Sequence, residues 1–245
     1  MRYVYGPVLS RRLGRSLGIE TVPLKTCNYS CVYCELGETT NRLNERRSFF
    51  PKEDILNDVN RALSSGIEID HITFAGDGEP TLCSDLGWLI DKIKKITDIP
   101  VVVITNGSLL NREDVREDLM DADIVIPSLD AADVETFKRI NRPCRGLEID
   151  EIIEGLVEFN RLYKGTLYIE VMLVKNFNDD VETLQKISEA IKRIKPDGVY
   201  ILTPVRPTAT PVEQADKTAI IRASKIIGEA ARIIHPELEA SLKTE

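Results

Sequence analysis

A parallel α/β architecture, a partial (β/α)6 TIM-like barrel, is what the 245-residue sequence predicts, on three observations. Short apolar runs rich in β-branched residues alternate with amphipathic helical patterns at about the thirty-residue repeat of a βα unit. The runs are apolar throughout rather than alternating, as strands covered on both faces are. Six units are fewer than the roughly eight of a closed barrel, so one side is expected to be open. The alternative arrangement is an open doubly wound sheet, which binds ligand at a switch point between strands.

In chain order, a basic arm over residues 1–17 leads into a first strand over 18–24, which delivers the chain into a cysteine-bearing loop. Residues 51–65 place Ile55, Leu56, Val59, Ala62 and Leu63 on one helical face, with Gly66 as the stop. The second strand, 71–75, ends in Gly76-Asp77-Gly78-Glu79-Pro80, and a helix with Leu86, Leu89, Ile90, Ile93 and Ile96 inward follows. The third strand, 101–105, ends in Asn106-Gly107; a helix over 112–120 then leads to the fourth, 124–126, which ends in Ser128-Leu129-Asp130. Helical segments over 131–140 and 149–163 flank the loop Asn141 to Gly146. The fifth strand, 166–174, runs through Lys175-Asn176-Phe177-Asn178-Asp179 into a helix with Val181, Leu184, Ile187, Ile191 and Ile194 inward. The sixth, 198–202, is followed by a loop holding Pro204, Pro207 and Pro211 and by a long closing helix expected over 213–234.

One domain is expected over 1–245, with an arm (1–17), a barrel core (18–202) and a C-terminal loop and helix (203–245). A hydrophobic content of 42% with 29% charged residues is that of a folded globular chain. No apolar run approaches a bilayer span, and the start, Met1 to Pro7, reaches proline without a signal-like apolar stretch, so a cytoplasmic protein without a membrane partner is expected. The net charge of −8 argues against a surface that grips nucleic acid everywhere, but Arg11, Arg12 and Arg15 concentrate positive charge before the first strand. Arg42, Arg46 and Arg47 do so after the cysteine loop. Guanidinium groups pair with phosphate or carboxylate, so the arm suggests an anionic substrate, a small molecule or an RNA segment. The alternative is that these arginines pair with the chain's own excess of acids.

Cys27, Cys31 and Cys34 stand within eight consecutive positions, spaced C-x3-C-x2-C, with Tyr33 before the last. A structural zinc site and a ferredoxin-type cluster each take about four protein ligands, so three close cysteines form an incomplete set. Three thiolates on three irons of a [4Fe–4S] cluster would leave the fourth iron open for a ligand. Zinc completed by His71 or His235 is the alternative, although both histidines read as structural. Cys83 and Cys144, standing alone, read as buried small hydrophobes.

Each polar motif lies at the carboxyl end of an expected strand, and in a parallel barrel those ends form one rim, where the chemistry sits. The cysteine spacing, the G-D-G-E-P turn and the rim motifs resemble those of the radical S-adenosylmethionine (SAM) enzymes over residues 18–202. The resemblance implies a [4Fe–4S] cluster on Cys27, Cys31 and Cys34 whose open iron chelates SAM. Reductive SAM cleavage would then give a 5′-deoxyadenosyl radical that abstracts hydrogen from substrate, with electrons from a flavodoxin- or ferredoxin-type donor. It also implies that the Asp77-Gly78-Glu79 backbone accepts from the SAM ammonium. Further SAM contacts would come from Tyr33, Gly78, Glu79, Asn106, Ser128, Asp130, Lys175 and Asn176. The N-terminal Y-G-P-V-L-S-R-R-L-G and the T-P-V-R-P segment are similar to wyosine-type tRNA-modifying synthases, whose second cysteine set is absent here. The short length and N-F-N-D-D are similar to glycyl-radical activating enzymes. An electron-transfer or cluster-carrier protein using the same thiols is the reading from another class.

Overall fold

The computed structural model describes residues 1–235. Its centre is an eight-stranded sheet in the order β1-β2-β5-β6-β7-β8-β9-β10. These strands are β1 (Val4–Ser10), β2 (Gly14–Ile19), β5 (His71–Phe74), β6 (Val101–Thr105), β7 (Ile124–Pro127), β8 (Thr166–Met172), β9 (Gly198–Leu202) and β10 (Ala231–Ile233). A small parallel pair, β3 (Thr26–Cys27) and β4 (Asn41–Arg42), belongs to the cysteine loop. The helices are α1 (Lys52–Leu63), α2 (Leu86–Lys94), α3 (Glu113–Leu119), α4 (Val134–Ile140), α5 (Ile149–Leu162), α6 (Val181–Ile194) and α7 (Lys217–Ile227). Neighbouring sheet strands are parallel except β1 and β2, so the expected partial barrel is observed.

The sheet departs from expectation at both ends. The basic arm is a β-strand, not a lead-in, because Ser10 Oγ accepts from the N–H groups of Arg12 and Leu13 and Gly14 takes φ +63°, which folds β1 back on β2. The first strand therefore starts at Gly14 and ends at Ile19, before the proline at 23. The long closing helix is also shorter than expected. Asp216 caps α7 by accepting from Ala219 N–H, and Gly228 at φ +92° ends it. The chain then re-enters the sheet as β10, parallel to β9. Residues 236–245 of the expected C-terminal segment lie outside the described residues.

Alternation along the strands divides the apolar residues into two sets. Val101, Val103, Val125, Ile169 and Val171 join the large core beneath the helices. Val102, Ile126 and Tyr200 face the barrel interior, where Leu13 from the β1–β2 turn packs against them. The turn thus plugs the amino-terminal end of the barrel. The opposite, carboxyl end is left to the loops.

Candidate active site

The loop after β2 carries the three cysteines, and its backbone is held by distant parts of the chain. Ser30 N–H and Val32 N–H donate to the carbonyls of Asn141 and Ile140 at the end of α4. From the other side, Ala209 N–H and Thr210 N–H donate to the carbonyls of Cys34 and Val32. The proline-punctuated loop after β9 is therefore a clamp on the cysteine loop.

Gly78 is fixed by close approach. It bridges Thr26, and a Cβ built on it would lie 1.9 Å from the Thr26 carbonyl oxygen, so no side chain fits. The neighbouring Glu79 is buried and accepts from Thr81 N–H (3.0 Å), Thr81 Oγ1 (2.6 Å), Thr105 Oγ1 (2.5 Å) and Asn106 N–H (2.7 Å). Its oxygens are spent on tying β5 to β6. Asn106 in turn donates to Asn28 Oδ1 at 2.7 Å and approaches Cys27 Sγ at 3.5 Å. Asp130, also buried, accepts from the Tyr33 hydroxyl, from Asn141 Nδ2 at 2.7 Å and from Met172 N–H at 2.9 Å.

Cys27, Cys31 and Cys34 open onto one cavity of about 720 Å³, together with Tyr33 and Gly78. Glu79, Asn106 and Asp130 stand behind this lining as its supports. Ser128, Lys175 and Asn176 do not line it. Ser128 N–H donates to Thr105 O, Lys175 pairs with Glu213 on the surface, and Asn176 turns the chain at φ +63°. Sequence reasoning passed over Asn28, Asn141 and Asn178, all buried and all joined to this framework. Nothing in the local sequence marks them, since each stands among polar or mixed neighbours; only the fold buries them, where an unpaired amide would be costly.

The thiols fit a cationic iron–sulfur group. Burial pushes the Cys27 thiol up to about 12, with the Glu79 charge adding to it. Burial and then Asp130 raise Cys31 well above its ordinary range, and burial raises Cys34. Two of the thiols are held beside buried carboxylates, Cys27 by Glu79 and Cys31 by Asp130, and this favours positive charge between them. Among the described residues no three His, Cys, Asp or Glu side chains are placed to hold a single metal ion. His71 Nδ1 lies 2.7 Å from Leu13 O at the far end of the barrel and takes no part. Cys83 is buried, as expected, whereas Cys144 is half-buried; neither lines the cavity.

The arginines expected to meet an anionic substrate are largely committed elsewhere. Arg15 pairs with Glu68 and Asp70 at the plugged end, and Arg12 pairs with Glu170 inside the barrel. Arg46, 7% exposed, pairs with Asp114 and Asp118 and donates to the carbonyls of Thr81 and Cys83. Arg12, Arg15 and Arg46 thus pair with the chain's own acids, whereas Arg11 lines the cavity and Arg47 lies over the Phe49 ring.

Residues 21–210 match the model of the radical SAM superfamily. The chain belongs to that superfamily. It is a radical SAM enzyme, and the cofactors of its kind are a [4Fe–4S] cluster and SAM. It is 48% identical over 206 residues to a protein named GTPase Obg from Brachyspira hyodysenteriae, covering 84% of this chain but 30% of that one. With a UPF0026 protein of Methanocaldococcus jannaschii it shares 40% identity over 223 residues, 90% of this chain and 69% of the relative. The structure of TYW1 with a lysine–pyruvate adduct bound superimposes with a TM-score of 0.66 at 19% identity, covering 89% of this radical SAM chain and 74% of that one. This last likeness is one of fold. No helix among the described residues is long and apolar enough to cross a membrane.

Proposed function

We propose that Cys27, Cys31 and Cys34 carry the cluster and that the cavity they open onto holds SAM and a substrate together. Held there, the reduced cluster and SAM would supply a 5′-deoxyadenosyl radical for hydrogen abstraction from that substrate, with electrons from an external donor of the flavodoxin or ferredoxin type. The observation that carries this reading is the opening of three thiols, with no fourth, onto a cavity of about 720 Å³. A cluster carrier has no use for such a chamber.

The remaining residues then orient and enclose. The Asp77 and Glu79 carbonyls already accept from Lys25 N–H and Leu82 N–H, which leaves the Gly78 carbonyl as the free acceptor for the SAM ammonium. Tyr33, held by Asp130, closes the wall beside the cysteines. Asn106 and Asn141 steady the cysteine loop through Cys27 and Cys31. Ile104, Met172 and Leu202 give the chamber an apolar wall that keeps water from a reactive radical.

Anaerobic reconstitution followed by reduction in the presence of SAM tests the reading. The expected result is a brown protein that yields 5′-deoxyadenosine and methionine. A brown protein that leaves SAM intact would assign the chain to electron transfer or cluster delivery instead.

A further inference from the structure

The chamber that the cysteines open onto is also lined, on its floor, by a pair of opposite charges. Arg12 comes from the β1–β2 turn and Glu170 from β8, on the far side of the barrel, and both line the cavity that the cysteines open onto. Their side chains, 17% and 12% exposed, form an ion pair. The turn is fixed in place by Leu13, packed against Val102, Ile126 and Tyr200, and the Tyr200 ring lies 6.0 Å from the Arg12 guanidinium carbon.

Bracing the turn does not require charge. Apolar residues of similar volume usually stabilise a buried position as well as an ion pair or better, because both charges must be stripped of water. The pair also keeps capacity in reserve. Contact runs between Nη1 and Oε2, the two polar atoms of the pair that are shut off from open space. No hydrogen bond from another described residue reaches Arg12 Nε or Nη2, or Glu170 Oε1. Donors and an acceptor therefore stand side by side on the floor, with no net charge.

Building on the chamber reading above, we propose that Arg12 and Glu170 determine substrate specificity by reading an uncharged carboxamide or lactam group. Its C=O accepts from the guanidinium and its N–H donates to the carboxylate. A charged head would draw one partner away and strand the other charge in a buried setting. A head lacking the donor or the acceptor would leave one side of the floor unpaired, the condition under which polar sites discriminate most strongly. Above the floor, Ile104, Met172 and Leu202 suit the carbon frame of such a molecule.

The test uses the full chain with its cluster reconstituted and SAM present. Benzamide, benzoate and benzylamine serve as matched probes, and binding is followed by ligand-observed NMR. Benzamide is expected to bind about ten-fold or more tighter than either charged probe, and the Arg12→Met/Glu170→Leu double variant, which keeps the bulk but has neither donor nor acceptor, to lose about ten-fold of that affinity. The double variant leaves no lone buried charge. Tighter binding of benzoate or benzylamine than of benzamide would overturn the proposal. So would benzamide binding intact in the double variant beside a lowered melting temperature, which marks a brace alone. Should the double variant not fold, Arg12→Lys replaces it: charge is kept, the planar fork is lost, and undiminished benzamide binding again overturns the proposal. Release of 5′-deoxyadenosine by the wild type is read separately. Its absence would sink the radical reading whatever the probes do.

Discussion

Asn178, in the turn after β8, donates through Nδ2 to the main-chain carbonyl of Asp130 at 2.9 Å, while its Oδ1 accepts from Val174 N–H at 2.8 Å. The ends of β7 and β8 are thereby locked in a fixed relation, with the Asp130 carboxylate turned toward Tyr33 and the cysteine loop. Replacing Asp130 by Ala takes the acceptor from the Tyr33 hydroxyl and Met172 N–H and leaves Asn141 Nδ2 with only Cys31 Sγ. Each newly unpaired buried group is expected to cost about 1–3 kcal/mol, seen as a lower denaturation midpoint. A parallel loss of SAM affinity is expected, since Tyr33 is released into the cavity.

Iron content reports on the cysteines. Substituting Ala for Cys27, Cys31 or Cys34 should abolish the reconstituted cluster and its colour, whereas Cys83→Ala and Cys144→Ala should retain both. Wild-type iron in a variant of the trio would remove that residue from the ligand set.

Gly78→Ala forces a methyl group against the Thr26 carbonyl, one residue before Cys27. The strand carrying the first thiol must move, so this smallest of substitutions should lower cluster occupancy. Gly66→Ala makes the contrast: it strains the backbone at φ +76°, but its Cβ meets nothing within 4 Å and no cysteine is near it in sequence, so iron content should stay at the wild-type level.

Arg46 reads in the sequence as part of a basic patch, yet it is a buried tie between the turn after β5 and α3. Arg46→Ala should destabilise the fold by about 1–3 kcal/mol, since the Thr81 and Cys83 carbonyls and Asp118 lose their donor while Asp114, half exposed, keeps Arg112. Chemical denaturation checks this, and Arg46→Lys should recover only part of the loss because it lacks the fork.

Glu20 sets a pH dependence of opposite sign to that of an ordinary ion-paired acid. Burial pushes its carboxyl from 4.5 up to about 7, opposed by the Asp77 N–H bond and reinforced by the Asp77 charge. The folded chain then holds this proton more tightly than the unfolded chain, so stability falls as pH rises from 4.5 to 7 and is level outside that window. Glu20→Gln keeps an acceptor for Asp77 N–H and removes the charge. Denaturation midpoints measured at both ends of the window should show a smaller pH difference in the variant than in the wild type.

The central strands were legible because each is a run of apolar residues bounded by turn signals, and β9 falls on Gly198–Leu202 as expected. The edges were not. Residues 4–10 contain a proline and alternate weakly, and they join the sheet only because the turn at Arg12 and Leu13 finds partners inside the barrel. Likewise β10 is three residues long, and helical periodicity ran across Gly228 unchecked. At the site, the fold brings Cys27, Cys31, Cys34 and Gly78, which the sequence groups by local spacing, onto one cavity. Spacing alone could not separate residues that line the cavity from residues behind it: Glu79 stands in the same motif as Gly78, and Asp130 in another rim motif, but in the fold they lie behind the lining and hydrogen-bond to neighbouring strands and loops. That distinction depends on which neighbours arrive from other strands.

The clamp on the cysteine loop also bears on the order of assembly. Carbonyls at Val32 and Cys34 wait for N–H groups at Thr210 and Ala209, which leave the ribosome some 175 residues later. Contacts so distant in sequence form late in folding. During synthesis the thiols therefore emerge on a loop whose final shape does not yet exist, and a cluster inserted then would meet a pliable strand. With the cluster on Cys27, Cys31 and Cys34 as proposed, its insertion into the finished site is expected to follow completion of β9 and the loop beyond it, a late step of maturation.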